Sequence, residues 1–208
     1  MKKDYGFGVA QDWHHYMEIV FREYKVGRLL EFGIGDGTEY LMDHSGEVVS
    51  VEISLGEFNK GWYERCRGRY EGRNWQGVYV EAGEGIRRAH EEAMAVGYPI
   101  KEGGHIMELR EIMDGLGGGW DLIFVDPGIC NRGDLVNLVM GKAGVIVGHD
   151  STRDGRRVKS GTYGYEVVKV PGNYEEIHFE DTRCGTTVWV ERTLEGLRAG
   201  LKRRLGEG

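Results

Sequence analysis

Proline is nearly missing from this 208-residue chain, which has three. That scarcity excludes a Pro-rich linker reading for a sequence in which glycine reaches 35 residues, more than twice the ordinary share of about 7%. Turns with close backbone approach are the better account of so much glycine. Cysteine is also scarce. Cys66, Cys130 and Cys184 are odd in number, widely spaced and form no CxxC, which excludes a disulfide framework and a cysteine zinc site. They read as reduced thiols of an intracellular protein, so a cytoplasmic location is expected. Positive charge is short: 27 Lys and Arg stand against 34 Asp and Glu, a net charge of −7. Capture of nucleic acid by a broad basic surface is therefore disfavoured. Long apolar runs are absent too, since none approaches the roughly 20 residues of a membrane span. The start, Met1-Lys2-Lys3-Asp4-Tyr5-Gly6, has no apolar core of a secretory signal.

What is present is an alternation. Trp13, Tyr16, Met17, Val20, Phe21 and Tyr24 recur at helical spacing, which predicts an N-terminal helix over 11–25, within a lead of 1–26. Short apolar runs follow at Arg28–Phe32, Val48–Ile53, Val78–Val80, Leu122–Val125 and Val145–Val147. Their near-continuous Val, Ile, Leu and Phe content suits strands buried on both faces of a parallel sheet, and the stretches between them can hold crossover helices. After Asp150 the pattern changes. Tyr174–Phe179 and Thr186–Val190, six residues apart, predict an antiparallel hairpin closing the sheet. Leu194, Leu197 and Leu201 mark a terminal helix whose basic end, Lys202-Arg203-Arg204, complements the helix dipole. The segment 84–119 is long for one crossover. Gly97 and Gly103-Gly104 split it into two helical pieces, near Ile86–Val96 and Ile106–Leu116, readable as a lid or insertion or as an extra packing helix. No repeat or linker divides the chain, so one α/β domain over 1–208 is expected.

The strongest local signal is Leu30-Glu31-Phe32-Gly33-Ile34-Gly35-Asp36-Gly37-Thr38, directly after the first strand and leading into a helix at Thr38–His44. Glycines at such a turn let the backbone approach a ligand that side chains would exclude. The spacing is GxGxG. A dinucleotide-binding turn asks for GxGxxG, and Thr38 stands where its third small residue belongs. Glu52 lies 19 residues after Gly33, at the end of the second strand before Ile53, where a carboxylate can accept both hydroxyls of a ribose. The third strand ends at Glu81-Ala82, where a polar side chain and a free backbone amide would address an adenine edge. The fourth ends at Asp126 and the fifth at His149-Asp150. In an open α/β sheet these ends border the ligand crevice.

From about Gly27 to Arg192 this ordered set resembles the class I S-adenosylmethionine-dependent methyltransferases. The resemblance implies a Rossmann-like, doubly wound, seven-stranded sheet, mostly parallel with an antiparallel hairpin last. It implies that Glu31, Gly33, Ile34, Gly35 and Gly37 hold the methionine part of S-adenosylmethionine. Glu52 and Ile53 would hold the ribose, Glu81 and Ala82 the adenine, and Asp126 would border the methyl group. Glu81 departs from the commoner Asp at its position.

Within that family the two ends Asp126 and Asp150 look like those of the small-molecule O-methyltransferases. Catechol O-methyltransferase-like enzymes carry a divalent-metal carboxylate at each, which implies Mg2+ on Asp126 and Asp150 and a hydroxyl acceptor activated by it. The chain departs from that pattern at Ser151, where Asn is usual, and at Pro127-Gly128-Ile129-Cys130, where an acidic residue or His often follows. His149 is the alternative, a general base at neutral pH. Asp126, His149 and Asp150 are thus the candidate catalytic set. Asp126-Pro127 also resembles the start of the Asp-Pro-Pro-aromatic motif of amino-methylating DNA enzymes, but Gly128 and Ile129 follow and leave no aromatic to stack a flipped base. The expected partner is a small molecule. The four basic residues within 151–160 would select an anionic group on it, or else form a solvated loop. Other readings stay open: a nucleic-acid or protein methyltransferase, a nicotinamide oxidoreductase, disfavoured by the turn spacing, and a non-catalytic cofactor-binding protein of the same fold.

Overall fold

The computed structural model describes residues 13–97, 103–151, 163–181 and 185–206. Cys184, residues 1–12 of the N-terminal lead and the basic run from 152 to 160 lie outside them. Seven strands form one sheet: β1 Arg28–Phe32, β2 Glu47–Ser54, β3 Trp75–Glu81, β4 Trp120–Val125, β5 Ala143–His149, β6 Tyr174–Phe179 and β7 Thr186–Glu191. Their order is β3-β2-β1-β4-β5-β7-β6. β1 to β5 run parallel, and β7 lies antiparallel between β5 and β6. The expected Rossmann-like sheet with a terminal hairpin is therefore the fold. A link of six residues, 180–185, is too short for the crossover a parallel pair needs, so β6 and β7 must run antiparallel.

Among the described residues seven α-helices cover the sheet: α1 His14–Glu23, α2 Thr38–His44, α3 Glu57–Tyr70, α4 Glu84–Val96, α5 Gly104–Gly115, α6 Arg132–Val139 and α7 Glu195–Leu205. Strand side chains alternate between the two faces. Leu29, Val48, Leu122, Phe124, Val145, Val147, Val188 and Val190 point to one face and pack against α1, α2, α3 and α7. Leu30, Phe32, Val49, Val51, Ile123, Val125, Ile146 and Trp189 point to the other, beneath α4, α5 and α6. Because both faces are buried, the strands read as continuous apolar runs rather than as alternating ones. Full burial of each such side chain stabilises by about 1.5–3 kcal/mol, which makes the doubly covered sheet the main source of stability.

Several boundaries differ from expectation for physical reasons. β3 runs from Trp75 to Glu81, longer than Val78–Val80, because it is an edge strand whose residues are only half-buried and whose polar members interrupt the apolar run. α1 is shorter than 11–25, starting at His14. Within the segment 84–119, α5 turns His105, Leu109 and Met113 inward. Its Glu108 carboxylate accepts from the amides of Gly85 and Ile86 at 2.7 and 3.1 Å, satisfying donors in the first turn of α4. No helix among the described residues is long and apolar enough to cross a membrane.

The chain reverses direction across the sheet between β1 and β4, and there their carboxyl ends converge. The ladder continues one residue beyond each strand: Gly33 N–H donates to Val51 O and Asp126 N–H to Phe32 O, both at 2.9 Å. Gly33 has φ +94°, and a Cβ built on it would lie 2.2 Å from Asp126 O and 2.9 Å from Pro127 Cα. Only glycine meets both conditions, since positive φ is costly for other residues and backbone cannot yield. Gly33→Ala is expected to destabilise the fold by at least about 2 kcal/mol, through backbone strain and steric overlap together. Urea denaturation followed by circular dichroism measures this, and an unchanged midpoint would contradict the close approach of the two strand ends.

Candidate functional site

The turn after β1 is pinned from several directions. Trp62 and Tyr70, both on α3, donate to the carbonyls of Ile34 at 2.6 Å and Gly35 at 2.9 Å. The Ile34 amide donates to Glu52 Oε2 at 3.2 Å, and the Gly35 amide to Thr38 Oγ1 at 3.0 Å. The three glycines answer to different needs. Gly33 is required by β4, as above. A Cβ on Gly37 would lie 2.5 Å from the Trp13 ring, which packs beneath the turn and against Phe124 at 4.7 Å. Gly35 differs: a Cβ there meets nothing nearer than Gly37 N at 4.0 Å, and its φ is not in the left-handed region. Among the described residues, neither the backbone nor the packing calls for glycine at 35.

Glu31 is 2% exposed and lies under the turn, where it accepts from Thr38 Oγ1 at 2.9 Å and from Ser50 Oγ at 2.5 Å. It shapes the turn from below. Burial pushes its carboxyl up to about 8, more than its two hydroxyl donors restore. Glu52, at the end of β2, is also buried, and desolvation raises it, opposed by the Asn59 amide on Oε1 at 2.8 Å and the Ile34 N–H. Ile53 is buried beneath the neighbouring face. Glu81 is exposed at the end of β3. The amide of Ala82 is not free as expected: it donates to Ser54 O at 2.9 Å, because pairing between β2 and β3 continues past the strand end.

At the other side of the crevice the structure brings Asp126, His149 and Asp150 together. His149 Nδ1 lies 3.2 Å from Asp126 Oδ2 and 3.7 Å from Asp150 Oδ1. Asp150 holds φ 56°, a left-handed conformation that Asp tolerates better than most residues and that recurs at functional sites. Between the two carboxylates sits a residue that sequence reasoning missed. Arg132, the first residue of α6, places Nη1 2.6 Å from Asp126 Oδ1 and 3.0 Å from Asp150 Oδ2. The same guanidinium donates to Pro127 O at 2.9 Å and His149 O at 3.2 Å, and lies 3.8 Å from the centre of the Tyr163 ring.

Local packing explains that placement. A Cβ on Gly133 would come 1.8 Å from Gly164 O, so the chain around 163–165 lies directly on the start of α6 and lays Tyr163 on the guanidinium. Tyr165 OH donates to His149 O at 2.7 Å, fixing the end of β5. Burial opposes the Arg132 charge, but Asp126, followed by Tyr165 and Asp150, outweighs it, so Arg132 stays a cation. Burial likewise pushes Asp126 up, yet Arg132 and His149 together hold it below the usual carboxylate range. Next in sequence to Arg132, Asn131 is buried with neither amide atom hydrogen-bonded.

Arg132 escaped notice because nothing in Arg132-Gly133-Asp134-Leu135-Val136 marks a site; its role arises only when the loop from Asp126 folds back. Asn59 was hidden likewise, as one polar residue on a helix with a weak apolar pattern. Asp126, Arg132, His149, Asp150 and the turn at Gly33–Gly37 therefore lie together at the carboxyl ends of β1, β4 and β5, where an open α/β sheet places its ligand crevice.

No family model matches the sequence, and no curated protein does. Solved structures share the fold. An O-methyltransferase from Bacillus cereus in complex with SAH is 16% identical, with 88% of this chain and 81% of that chain covered and a TM-score of 0.56. An rRNA methylase from Streptococcus thermophilus is 9% identical, with 86% and 95% covered and a TM-score of 0.51. At these identities the likeness is one of fold: the chain has the Rossmann-like architecture of the methyltransferases.

The state of Glu31 has a measurable consequence. Its carboxyl titrates near 4.5 when unperturbed and near 8 in the folded protein. Between those values the folded state holds the extra proton, so stability falls as pH rises through that window and levels off above it. Glu31→Gln keeps hydrogen-bonding groups and cannot ionise. The melting temperature of the wild type should fall more steeply than that of the Gln variant between about pH 5 and pH 8. Parallel profiles in differential scanning calorimetry would show that Glu31 is ionised in its site.

Proposed function

We propose that this protein transfers a methyl group from S-adenosylmethionine to a hydroxyl oxygen of a small molecule. The observation that carries the reading is the open space at Gly35, beside a turn that is otherwise fully pinned. A glycine the protein does not need for its own packing, in the crevice of an open α/β sheet, is where a ligand approaches backbone. The residues around it fit this cofactor. Glu52 keeps acceptor capacity beyond the bonds from Ile34 and Asn59 and would take the ribose hydroxyls. Glu81 stands exposed at the next strand end, on the side where the adenine would lie. Ile34 and Gly33 line the way to Asp126, beside the reacting methyl.

When bound, S-adenosylmethionine supplies an electrophilic methyl on a sulfonium. The chain supplies the base. Asp126 Oδ2 facing His149 Nδ1 favours the tautomer with its proton on Nδ1, which leaves the lone pair on Nε2. His149 then accepts the hydroxyl proton as the acceptor oxygen takes the methyl. Asp126, held ionised by Arg132, stabilises the imidazolium that forms. A net charge of −7 supports a small-molecule acceptor over nucleic acid. The magnesium that the resemblance implies does not fit these residues as they stand, because Arg132 Nη1 already bridges Asp126 and Asp150.

Calorimetric titration tests the reading. The wild type should bind S-adenosylmethionine, and Gly35→Val should not, while keeping its circular dichroism spectrum and melting temperature, because its Cβ meets nothing among the described residues nearer than Gly37 N at 4.0 Å and its branches extend into ligand space. In the same preparation, radiolabelled methyl transfer to the small-molecule fraction of a cell extract should fall about 10²–10⁴-fold in His149→Ala, the usual effect of losing a general base. Unchanged affinity in a folded Gly35→Val variant would remove the turn from the site.

A further inference from the structure

We infer that Arg132 takes, from within the chain, the place of a divalent cation between Asp126 and Asp150, so that the acceptor site functions without a metal and does not require a chelating acceptor. The inference rests on the reading of this crevice as the acceptor site. Two facing carboxylates at adjacent strand ends need a counter-charge, since taking unpaired charges out of water is expensive. One atom provides it here. Nη1 of Arg132 lies within hydrogen-bond distance of Asp126 Oδ1 and of Asp150 Oδ2. A guanidinium satisfies carboxylate oxygens by donating hydrogens, here at 2.6 and 3.0 Å, and needs none of the further oxygen ligands that a hard cation gathers around itself.

The guanidinium is held in a slot of its own. Its remaining bonds go to the carbonyls of Pro127 and His149, its face is covered by Tyr163, and the side chain is 5% exposed. A metal could enter that slot only by expelling a buried cation and stranding it. The oxygens that Arg132 leaves over, Asp126 Oδ2 and Asp150 Oδ1, face His149 Nδ1, and these three atoms do converge. A dication there would sit beside a guanidinium that shares both of its carboxylates, and each would repel the other. The next residue in the chain offers no further ligand, because Ser151 is fully buried with its hydroxyl on Thr187 Oγ1 at 2.8 Å.

The consequence concerns the acceptor. A metal site selects molecules that present two adjacent oxygens to one ion. Arg132 presents no open coordination position, so a single hydroxyl near His149 meets the demands of the site. The chemical class is a non-chelating mono-hydroxyl compound, in place of a catechol-like pair.

The test is a titration of Mn2+ and Mg2+ into the chelator-treated full chain, followed by calorimetry and thermal denaturation. The wild type should show no saturable site tighter than about 1 mM, the weak end of biological divalent-ion sites, and no shift in melting temperature. Arg132→Met leaves the two carboxylates without their cation. It should melt lower than the wild type, gain Mn2+ binding at least about tenfold tighter, recover part of its stability with that ion, and lose the gain when Asp150→Asn is added. Micromolar Mn2+ or Mg2+ binding by the wild type that Asp150→Asn abolishes would overturn the inference, as would a folded Arg132→Met that gains no ion binding. If Arg132→Met does not fold, the wild-type titration decides alone. Binding of S-adenosylmethionine to the wild type, measured beside it, separates the two readings: its absence undoes the proposed function, whatever the metal titration shows.

Discussion

The contact on which the rest depends is backbone against backbone, at the carboxyl ends of β1 and β4. Gly33 lies so close to Asp126 O that no side chain fits between them. That closeness puts the glycine turn beside Asp126, and the bond from Gly33 to Val51 keeps it in register with β2. Trp13 then fills the space under Gly37, which ties the helix α1 to the turn from below. The candidate site is thus set on strand ends that the doubly buried sheet holds in place, with the half-buried edge strand β3 at one margin of the sheet.

Acidic groups crowd this region, and the chain handles each in a different way. Glu31 is fully enclosed and keeps its proton up to about 8. Glu52 is also desolvated, yet it faces two donors, the Asn59 amide and the Ile34 N–H, that oppose the rise. Asp126 and Asp150 share a buried guanidinium that keeps Asp126 ionised. Breaking such a buried set by removing one partner typically costs about 3–5 kcal/mol, more than an exposed pair contributes. The surface ion pairs of Arg69 and Arg73 with Glu39, Asp36 and Asp43 are of that weaker exposed kind. The acids here therefore differ by their neighbours: burial keeps Glu31 neutral under the turn, while Arg132 and His149 keep Asp126 ionised against its own burial.

Much of the fold was legible because burial on two faces leaves an unmistakable trace. Arg28–Phe32, Tyr174–Phe179 and Thr38–His44 were read at their observed bounds, since apolar content and the flanking glycines coincide there. β3 was read short because an edge strand mixes polar residues into its run. Strand-end position also announced Glu52, Asp126 and Asp150. What spacing does not carry is the partner of each group. That Gly37 makes room for Trp13, that Ala82 spends its amide on Ser54, and that Arg132 folds back between two aspartates are contacts between elements, with no periodicity to betray them. Two carboxylates at adjacent strand ends left a metal and a histidine base both open, because spacing does not reveal the arginine between them.

The central claim is that S-adenosylmethionine lies against the backbone at Gly35, between Glu52 and Asp126. Hydrogen–deuterium exchange of the full chain, with and without the cofactor, tests this directly. The account predicts slower exchange in 33–38, in 52–59 and at 81–83, with β6 and α7 unchanged. Cofactor-dependent protection that spares 33–38, or that appears only around β6 and α7, would place the ligand elsewhere and contradict it.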